Sequence, residues 1–555
     1  MWWWLALLAV LLGTGLRVWQ WALGTSFFVD ELALLHNVVT RPVGALLTQP
    51  LSDSQVAPPL FLLAEKACYL LLGASEQALR LPALLASILA LLLLWRVAGR
   101  LLWAPLVPGA LLALALGYTF IYYGSQAKPY ASDAAAALLA LELSLRLLAR
   151  RPPSRHAWWW LALAGLLLPF YSHPAVLVLA GCGAVLAAAA VSQRRYRARR
   201  GLVLAVVAAW AVGCAGSAAL ARHLLPAEVA AYMQFYWQGG MLPLSGQLPQ
   251  VLYTNLAQRL RYGLFWPSPE VVWLLAAAGG LLVLAQQQRY NPALLLLAPW
   301  LVAGAGALLH QFPLSDRQAD YLFPGLFVLI FLGLQGVVRG ARRRSRPVGA
   351  LLLLACLLLP LASLRGCILP PYRVLEVRPL LAWLAGRRRP GDLVYGSLAS
   401  GQSLRWYGPR YGLPAGSYHV AQCLPPAPGA NRQRLRELDA FRGHRVWVVQ
   451  VFMSHYERNT TLPYLDSLGH AGPTFEAPTR LPEGYVNGAM RVQLFDLRDP
   501  ARARRYSARS FPTYPDQHRD PAAQRWDCFP PFTVEALQPS KRTMDSPPEP
   551  SIIPE

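Results

Sequence analysis

The chain has 555 residues, of which 55% are hydrophobic and 14% are charged, whereas soluble domains carry about 25% charged residues. This composition excludes a soluble globular enzyme and predicts a polytopic membrane protein. The formal net charge of +23 comes from 51 basic and 28 acidic residues. Because much of the basic charge lies in short clusters between apolar segments, as in membrane proteins, we expect no nucleic-acid partner.

The chain opens with an apolar run, Met1-Trp2-Trp3-Trp4, without a preceding Lys or Arg. A cleavable signal peptide normally has a basic first region, so we expect residues 1–22 to be a retained first span. A span needs about 20 apolar residues, and roughly eleven segments qualify. They are 1–22, 82–98, 103–122, 132–149, 157–172, 174–191, 202–221, 270–286, 292–310, 319–337 and 348–364.

Basic clusters predict the orientation of these spans, because Lys and Arg favour cytoplasmic loops. The clusters are Arg96 with Arg100, Arg146–Arg155, Arg194–Arg200, Arg289 and Arg339–Arg346. We therefore expect the N-terminus inside, and the loop 222–269 and everything after Arg365 outside.

Residues 58–72 are apolar but do not fit this alternation. The segment is short, begins Pro58-Pro59 and contains Glu65 and Lys66. Segments of this length are more often interfacial or re-entrant than spanning. We expect it to lie along the outer interface, within a structured first outer loop from Gly24 to about Leu81.

The outer loop 222–269 is rich in aromatic residues, including Tyr236, Trp237 and Trp266. Such rings favour the membrane–water interface, which is our interpretation for most of them. Stacking on a sugar or lining a lipid groove are the alternatives.

The sequence changes character after Leu364. A helix is predicted over Glu376–Gly386, a turn at Pro390-Gly391-Asp392, and strands at 393–395, 446–451 and 491–496. Residues 365–498 thus predict a small α/β domain outside the membrane, after a transmembrane module over 1–364. Residues 499–555 are rich in Pro, Arg and Ser and predict a disordered tail. Asn459-Thr460-Thr461 matches a glycosylation sequon, a frequent chance match.

Four outer-facing stretches carry residues suited to chemistry. The predicted topology brings all four to the same side of the membrane. They are Asp30-Glu31, then Gln126–Asp133 with Lys128 and Tyr130, then Tyr171-Ser172-His173-Pro174, and last Pro313–Arg317 followed by Tyr321 and Pro324.

Each stretch also has a plainer interpretation. Lys128 and Arg317 suit interfacial anchors, Asp133 a helix N-cap, and His173 an ordinary turn residue. Their convergence beside a carboxylate pair favours a site. A carboxylate can deprotonate an acceptor hydroxyl, and basic groups can stabilise a departing lipid phosphate. That combination describes sugar transfer from a polyprenyl phosphate.

The order of several short motifs resembles the GT-C superfamily of membrane glycosyltransferases, in the branch of the protein O-mannosyltransferases and the lipid A aminoarabinose transferase. The resemblance covers roughly residues 1–498. The matching motifs are Phe28-Val29-Asp30-Glu31, Pro58-Pro59-Leu60-Phe61, Ala78–Pro82, Ala127–Asp133, Tyr171–Pro174, Asp316-Arg317 with Tyr321 and Pro324, Glu376–Pro379 and Pro390–Tyr395.

This resemblance implies an inverting transferase that moves a sugar from a polyprenyl-phosphate donor to a cell-envelope acceptor. It implies an integral membrane protein whose active site and C-terminal domain are extracytoplasmic. The implied roles are catalytic for Asp30 and Glu31, donor-phosphate binding for Lys128, Arg317, Tyr130 and Arg80, and substrate binding for Asp133, His173 and Tyr321.

The sequence departs from the family at one position, where Ala57 replaces the His or Lys that family members often carry before Pro-Pro. The adjacent Asp30-Glu31 pair also lacks the DxD spacing of metal-using oligosaccharyltransferases. We therefore assign no cofactor, and a divalent cation near Asp30 stays open but disfavoured.

Two other classes of function compete with this prediction. A transporter or flippase of lipid-linked sugars would show repeats and charges near span midplanes. The chain shows no clear repeat, and its notable charges cluster at one face. A non-catalytic anchor that presents the α/β domain would not need Asp30, Lys128 and Arg317 to converge.

Overall fold

A computed structural model describes residues 1–151, 153–263, 269–364, 372–422, 430–451, 461–477, 490–499 and 501. The chain divides into two compact units. The first comprises Met1–Gly24, Val38–Pro50 and Val56–Pro371, and the second comprises Thr25–Asn37, Leu51–Gln55 and Tyr372–Glu555. The predicted tail beyond residue 501 and the Asn459 sequon lie outside the described residues.

The first unit is helical. Ten of the eleven predicted spans each overlap one α-helix, and the span 103–122 covers two α-helices and a 3₁₀-helix. The α-helices up to residue 364 are α1 Trp2–Ala22, α2 Val29–Thr40, α3 Val43–Thr48, α4 Pro59–Leu72, α5 Glu76–Leu101, α6 Val107–Leu116, α7 Tyr118–Tyr122, α8 Tyr130–Leu147, α9 Arg155–Tyr171, α10 Ala175–Ser192, α11 Arg200–Leu224, α12 Ala227–Tyr236, α13 Leu248–Gln258, α14 Val271–Gln286, α15 Tyr290–Leu308, α16 Phe323–Arg344 and α17 Arg346–Leu358. Short 3₁₀-helices cover Ala104–Leu106, Tyr123–Ser125, Arg194–Arg199, Gln238–Gly240, Asp316–Leu322 and Leu359–Ser363, and a π-helix covers Arg259–Gly263.

Within the described residues, seven helices are long and apolar enough to cross a membrane. An eighth is added if the bent pair Ala104–Leu116 and Tyr118–Ser125 forms one span. Helix α8 carries Asp133, Glu142 and Arg146, and α14 has only 16 residues. The predicted class, a polytopic α-helical membrane protein with a small C-terminal α/β region, is confirmed, while the number of spans stays a prediction.

Helix α5 shows why a predicted span can be shorter than its helix. Its apolar centre was predicted over 82–98, but the helix runs over Glu76–Leu101. The Ser75 hydroxyl accepts a hydrogen bond from the Ala78 N–H at 3.2 Å and begins the helix earlier. A hydropathy pattern detects only the apolar core, because polar caps and end turns extend the helix without adding apolar residues.

An arginine that the sequence analysis did not single out holds a broken helix together. The guanidinium of Arg17 is fully buried and donates to the carbonyls of Leu114 at 2.9 Å and Ala115 at 3.1 Å. Helix α6 ends at Leu116, and α7 departs at 61°, so these carbonyls lie in a last helical turn that lacks intrahelical donors. The Arg17 Nε also donates to the Ser87 hydroxyl at 2.6 Å. Leu114 and Ala115 are themselves fully buried, so Arg17 satisfies backbone oxygens that would otherwise lack partners.

Helix α4 occupies the segment that was predicted not to span. Its 14 residues extend over about 21 Å, less than the roughly 30 Å hydrocarbon core. The Lys66 ammonium donates to the Val38 carbonyl at 2.8 Å and lies 4.9 Å from the Tyr69 ring centroid. These contacts hold the charge on the protein, and the interfacial position of α4 stays a prediction.

The second unit contains a five-stranded sheet in the order β2-β1-β3-β5-β4. The strands are β1 Leu393–Gly396, β2 His419–Val420, β3 Arg445–Gln450, β4 His470–Glu476 and β5 Arg491–Asp496. Strands β2, β1 and β3 are parallel, and β5 and β4 are antiparallel to their neighbours. The helices after residue 372 are α18 Val377–Ala385, α19 Ser400–Tyr407, α20 Ala430–Asp439, α21 Leu462–Leu468 and the 3₁₀-helix Gly408–Tyr411.

The predicted helix and three predicted strands of this unit are confirmed as α18, β1, β3 and β5. The predicted turn is also present, since the Asp392 N–H donates to the Arg389 carbonyl at 3.1 Å. Strands β2 and β4 were missed. Strand β2 has two residues, while β4 is mostly exposed and contains Gly472 and Pro473, so neither shows the apolar alternation that reveals a strand.

Candidate active site

Helix α8 and the turn after α9 meet at a buried carboxylate. The Ser172 hydroxyl donates to Asp133 Oδ1 at 2.7 Å, and both side chains are buried. At the preceding positions of the two segments, the Ser132 hydroxyl donates to the Tyr171 hydroxyl at 3.1 Å. Asp133 lies inside the first turn of α8, whose N-cap is Pro129, so the plainer N-cap interpretation is wrong. The second and third predicted stretches therefore meet side chain to side chain.

Two polar atoms of predicted site residues have no hydrogen-bond partner within the described part of the chain. They are Tyr321 Oη and His173 Nε2, and both atoms are buried. Tyr321 interacts electrostatically with Asp133, and His173 directly follows Ser172. Burial lowers the pKa of His173 to about 4, while a hydrogen bond to the Ala57 backbone acts in the opposite direction. The imidazole is therefore neutral near pH 7 and leaves a buried ring nitrogen to contact a ligand.

Arg317 connects the stretch Pro313–Arg317 to the stretch Gln126–Asp133. Its guanidinium carbon lies 5.3 Å from the ring centroid of Tyr130 and 5.3 Å from that of Trp237. Trp237 belongs to the aromatic loop 222–269, so at least this ring contacts a predicted site residue. Arginine stacked between rings keeps its charge and its planar donors, which suit a phosphate.

Arg259 holds the same region together, although the sequence analysis did not single it out. It forms a two-pronged ion pair with the buried carboxylate of Asp320 and reaches Asp316 Oδ1 at 3.0 Å. A water-sized cavity borders Asp320, Tyr130 and Arg17. No motif signalled Arg259, because its partners lie about 60 residues away along the chain.

The other predicted phosphate-binding residues are both buried in the first unit. Lys128 is 6% exposed and directly precedes the Pro129 cap of α8, and Arg80 is 3% exposed in the second turn of α5. Charged side chains are rarely buried unless their charge is used or compensated. Both remain candidates for holding an anion.

Asp30 and Glu31 belong to the second unit. They lie in the first turn of α2, where Glu31 Oε2 accepts the Phe28 N–H at 2.8 Å. This contact is one half of a capping box and begins the helix. Glu31 is buried whereas Asp30 is half-buried, so the capping role falls to Glu31. Asp30 keeps the more accessible carboxylate.

The segment that carries Asp30 is fixed to the C-terminal domain. The Phe27 N–H donates to the Tyr407 hydroxyl at 2.8 Å, and the rings of Phe27 and Trp406 meet edge to face at 5.5 Å. Ser26 Oγ donates to Glu376 at 3.3 Å, and burial raises the pKa of this glutamate. The Phe28–Glu31 motif and the C-terminal domain are therefore parts of one compact unit.

The described residues contain no group of three or more His, Cys, Asp and Glu side chains that could hold a metal ion. The residues that do converge are an arginine on two rings, a buried aspartate and several hydroxyls. This set suits recognition of a phosphate and of hydroxyl groups.

No family model and no curated protein match this sequence. Among solved structures, the apo crystal structure of ArnT from Cupriavidus metallidurans matches with 13% identity and a TM-score of 0.50, covering 87% of this chain and 97% of that chain. The structure of ArnT from the same organism bound to undecaprenyl phosphate matches with 12% identity and a TM-score of 0.48. That match covers 88% of this chain and 97% of that chain. The archaeal oligosaccharyltransferase AglB from Archaeoglobus fulgidus, in complex with an inhibitory peptide and a dolichol-phosphate, matches with 12% identity and a TM-score of 0.48. That match covers 87% of this chain and 74% of that chain. The likeness to apo ArnT shows the fold of this chain. The fold expected from the sequence resemblance is confirmed.

Proposed function

From this fold, we propose that the protein is an inverting membrane glycosyltransferase of the GT-C type. It transfers a sugar from a polyprenyl-phosphate donor to a cell-envelope acceptor on the extracytoplasmic face. The proposal rests on the fold, on the motif order and on the chemistry of the converging residues.

The observation that carries the proposal is the meeting of three separate stretches in the first unit. Asp133 with Ser172, and Arg317 with Tyr130, join segments that were each selected from sequence for their chemistry. An anchor role for each residue alone predicts no such contacts. A shared ligand that needs both an anion-binding group and hydroxyl-binding groups explains why they meet.

In this proposal Arg317 and Lys128 bind the donor phosphate. The phosphate gains negative charge as the sugar leaves, so a fixed guanidinium stabilises the transition state more than the ground state. Asp133, His173 and Tyr321 bind substrate hydroxyls, with the neutral His173 as a hydrogen-bond acceptor. Tyr130 supports Arg317 through its ring face.

Asp30 is the proposed base. A hydroxyl acceptor becomes a competent nucleophile as its proton begins to leave, and an accessible carboxylate can take that proton. One displacement by one acceptor inverts the anomeric centre, whereas a double displacement retains it. Glu31 supports Asp30 by fixing the first turn of α2.

The test is transfer of labelled sugar from synthetic polyprenyl-phosphate donors to cell-envelope fractions. We expect Asp30→Asn to keep expression and donor binding and to lose transfer by about 10²–10⁴-fold, the usual contribution of a general base. The matched control is Glu31→Gln, which retains an oxygen for the Phe28 N–H and should be milder.

Two results would overturn the proposal in different ways. Near-normal transfer by Asp30→Asn, or a product with retained configuration, removes Asp30 from the base role. Movement of intact donor across vesicles without transfer would identify a transporter of lipid-linked sugars instead.

A further inference from the structure

A cluster of arginines surrounds one carboxylate at the end of α8 far from Asp133. Glu142 has a side chain that is 2% exposed, and it accepts from Arg96 at 3.1 Å, Arg100 at 2.9 Å and Arg146 at 2.8 Å. Three guanidinium groups against one carboxylate leave two positive charges in excess. We call Arg96, Arg100, Arg146 and Glu142 the arginine cluster.

Three further arginines add positive charge next to this cluster. Arg289 donates to the carbonyls of Arg100 at 3.1 Å and Leu101 at 3.3 Å. The guanidinium carbons of Arg339 and Arg342 lie 5.5 and 5.2 Å from the Trp103 ring centroid. Backbone oxygens and a ring face orient these groups without neutralising them, so the excess of positive charge extends beyond the cluster.

The cluster borders a shallow cleft, open to the surroundings, that Trp95, Arg96, Gly99 and Arg100 line. The side chains of Arg96 and Arg146 are 53% and 44% exposed. Glu142 thus holds the guanidinium groups in place while leaving much of their surface available. Such fixed planar donors match the oxygens of a phosphate.

An exposed apolar stripe on α5 leads to this cleft. Leu85, Leu89 and Leu92 are 58%, 45% and 44% exposed, and their spacing of four and three residues continues to Arg96 on the same helix face. A ligand that follows this face would meet a hydrocarbon surface first and a guanidinium at its end. A phospholipid has that arrangement, whereas a soluble phosphate does not.

We propose that the arginine cluster binds the headgroup of an anionic phospholipid whose acyl chain lies along Leu85, Leu89 and Leu92. Trp95 lies beside the cleft, at a position where rings favour the membrane–water interface. Basic pockets between membrane helices are suited to such headgroups. This site lies apart from the proposed active site and does not depend on the proposed function.

The test is native mass spectrometry of the detergent-purified full chain with tetraoleoyl cardiolipin, dioleoyl phosphatidylcholine and inorganic phosphate. We expect cardiolipin to bind more tightly than phosphatidylcholine, and Arg96→Gln to weaken cardiolipin binding about fivefold, the usual effect of one basic residue at an anionic surface. The matched control, Arg197→Gln, removes an exposed arginine from the helix Arg194–Arg199 and should change binding less than about twofold.

Arg339→Gln is a second variant that leaves the Glu142 contacts intact. Its cardiolipin binding provides the test if Arg96→Gln fails to fold. Cardiolipin binding equal to that of phosphatidylcholine would overturn the proposal, as would wild-type binding in the folded Arg96 and Arg339 variants. An equal loss in Arg197→Gln would mean general attraction by charge. Displacement of cardiolipin by millimolar inorganic phosphate would identify a soluble phosphate site and reject the lipid.

Discussion

Helix α8 carries two buried carboxylates about two and a half turns apart, and the structure treats them differently. Glu142 accepts hydrogen bonds from three arginines. Asp133 accepts one from the Ser172 hydroxyl. Two buried polar atoms of neighbouring site stretches, His173 Nε2 and Tyr321 Oη, have no hydrogen-bond partner within the described residues. One end of the helix is saturated with contacts, and the other leaves bonding capacity unused.

This difference separates a structural role from a ligand-binding role. A buried polar group normally has partners, and an unsatisfied one costs about 1–3 kcal/mol. A protein tolerates this loss of stability where a bound ligand later supplies the missing hydrogen bonds. Glu142 is therefore interpreted as a stabilising carboxylate and Asp133 as part of a site, and this comparison can be tested in three ways.

The largest expected effect on stability is that of Glu142→Gln. The amide cannot neutralise three guanidinium groups, and breaking a buried ion pair costs about 3–5 kcal/mol. Since the arginines are partly exposed and can regain water, we expect the lower figure of about 3 kcal/mol. The measurement is reversible unfolding in mixed detergent micelles.

The companion variant Asp133→Asn should cost about 1 kcal/mol, because it weakens one hydrogen bond and relieves the burial of a carboxylate. Ser144→Ala serves as a control on the same helix, since this hydroxyl donates to the Ala140 carbonyl of its own helix and contacts no charged group among the described residues. A larger loss of stability in Asp133→Asn than in Glu142→Gln would break the comparison.

The next effect concerns activity at the Asp133 end. We expect Arg317→Ala to reduce kcat/KM roughly 30-fold, the equivalent of about 2 kcal/mol, because a charged contact to the leaving phosphate is lost. Lys128→Ala should act in the same direction. Initial rates with varied donor concentration give the measurement.

Arg261→Ala is the matched control, since Arg261 lies in the loop 222–269, whose Trp237 contacts Arg317, and its Nε pairs with Glu270 at 2.8 Å with half of its side chain exposed. It should retain transfer within about twofold. Wild-type turnover and donor affinity in Arg317→Ala would return Arg317 to the role of an interfacial anchor.

The smallest effect is a pH dependence from His173. Its pKa in the folded protein, about 4, lies below the unfolded value of about 6.5, so between these values the unfolded chain binds more protons. Stability is therefore complete above about pH 6.5 and falls as the pH drops towards 4. After allowance for solvent screening of a half-buried ring, we expect the wild type to lose about 1 kcal/mol more than His173→Gln between pH 7 and pH 5. Denaturation curves at the two pH values test this, and parallel losses in both proteins would contradict a buried neutral imidazole.

The helical part of the fold was predictable because long apolar segments and basic clusters are local signals. The eleven predicted segments all became helices for this reason. The break between α6 and α7 was not predictable, since the residues around Gly117 read as one apolar run and Arg17, which contacts the end of α6, is about 100 positions away. Strand β4 was hidden for a related reason, because an edge strand depends on its partner β5 and not on its own pattern.

The site was predictable where chemistry and position coincided. Lys128, Asp133, His173 and Arg317 stood out as polar residues at the ends of apolar segments. Arg259 and Asp320 did not, because an ion pair between a loop and a distant helix end leaves no trace in the spacing of either partner. The capping role of Glu31 follows from one backbone N–H, which only the structure could distinguish from a catalytic role.

The contact between Arg17 and α6 constrains how the protein is made. The carbonyls that receive the guanidinium are 97 and 98 residues further along the chain, and ribosomes add about 5–20 residues per second. The first helix therefore enters the membrane about 5–20 s before its arginine finds these partners. During that interval the side chain depends on water or the insertion machinery, so the first helix must stay near its point of entry until the third hydrophobic segment arrives. Slowing translation between Ser87 and Leu114 would prolong the interval in which the nascent chain is exposed to membrane quality control.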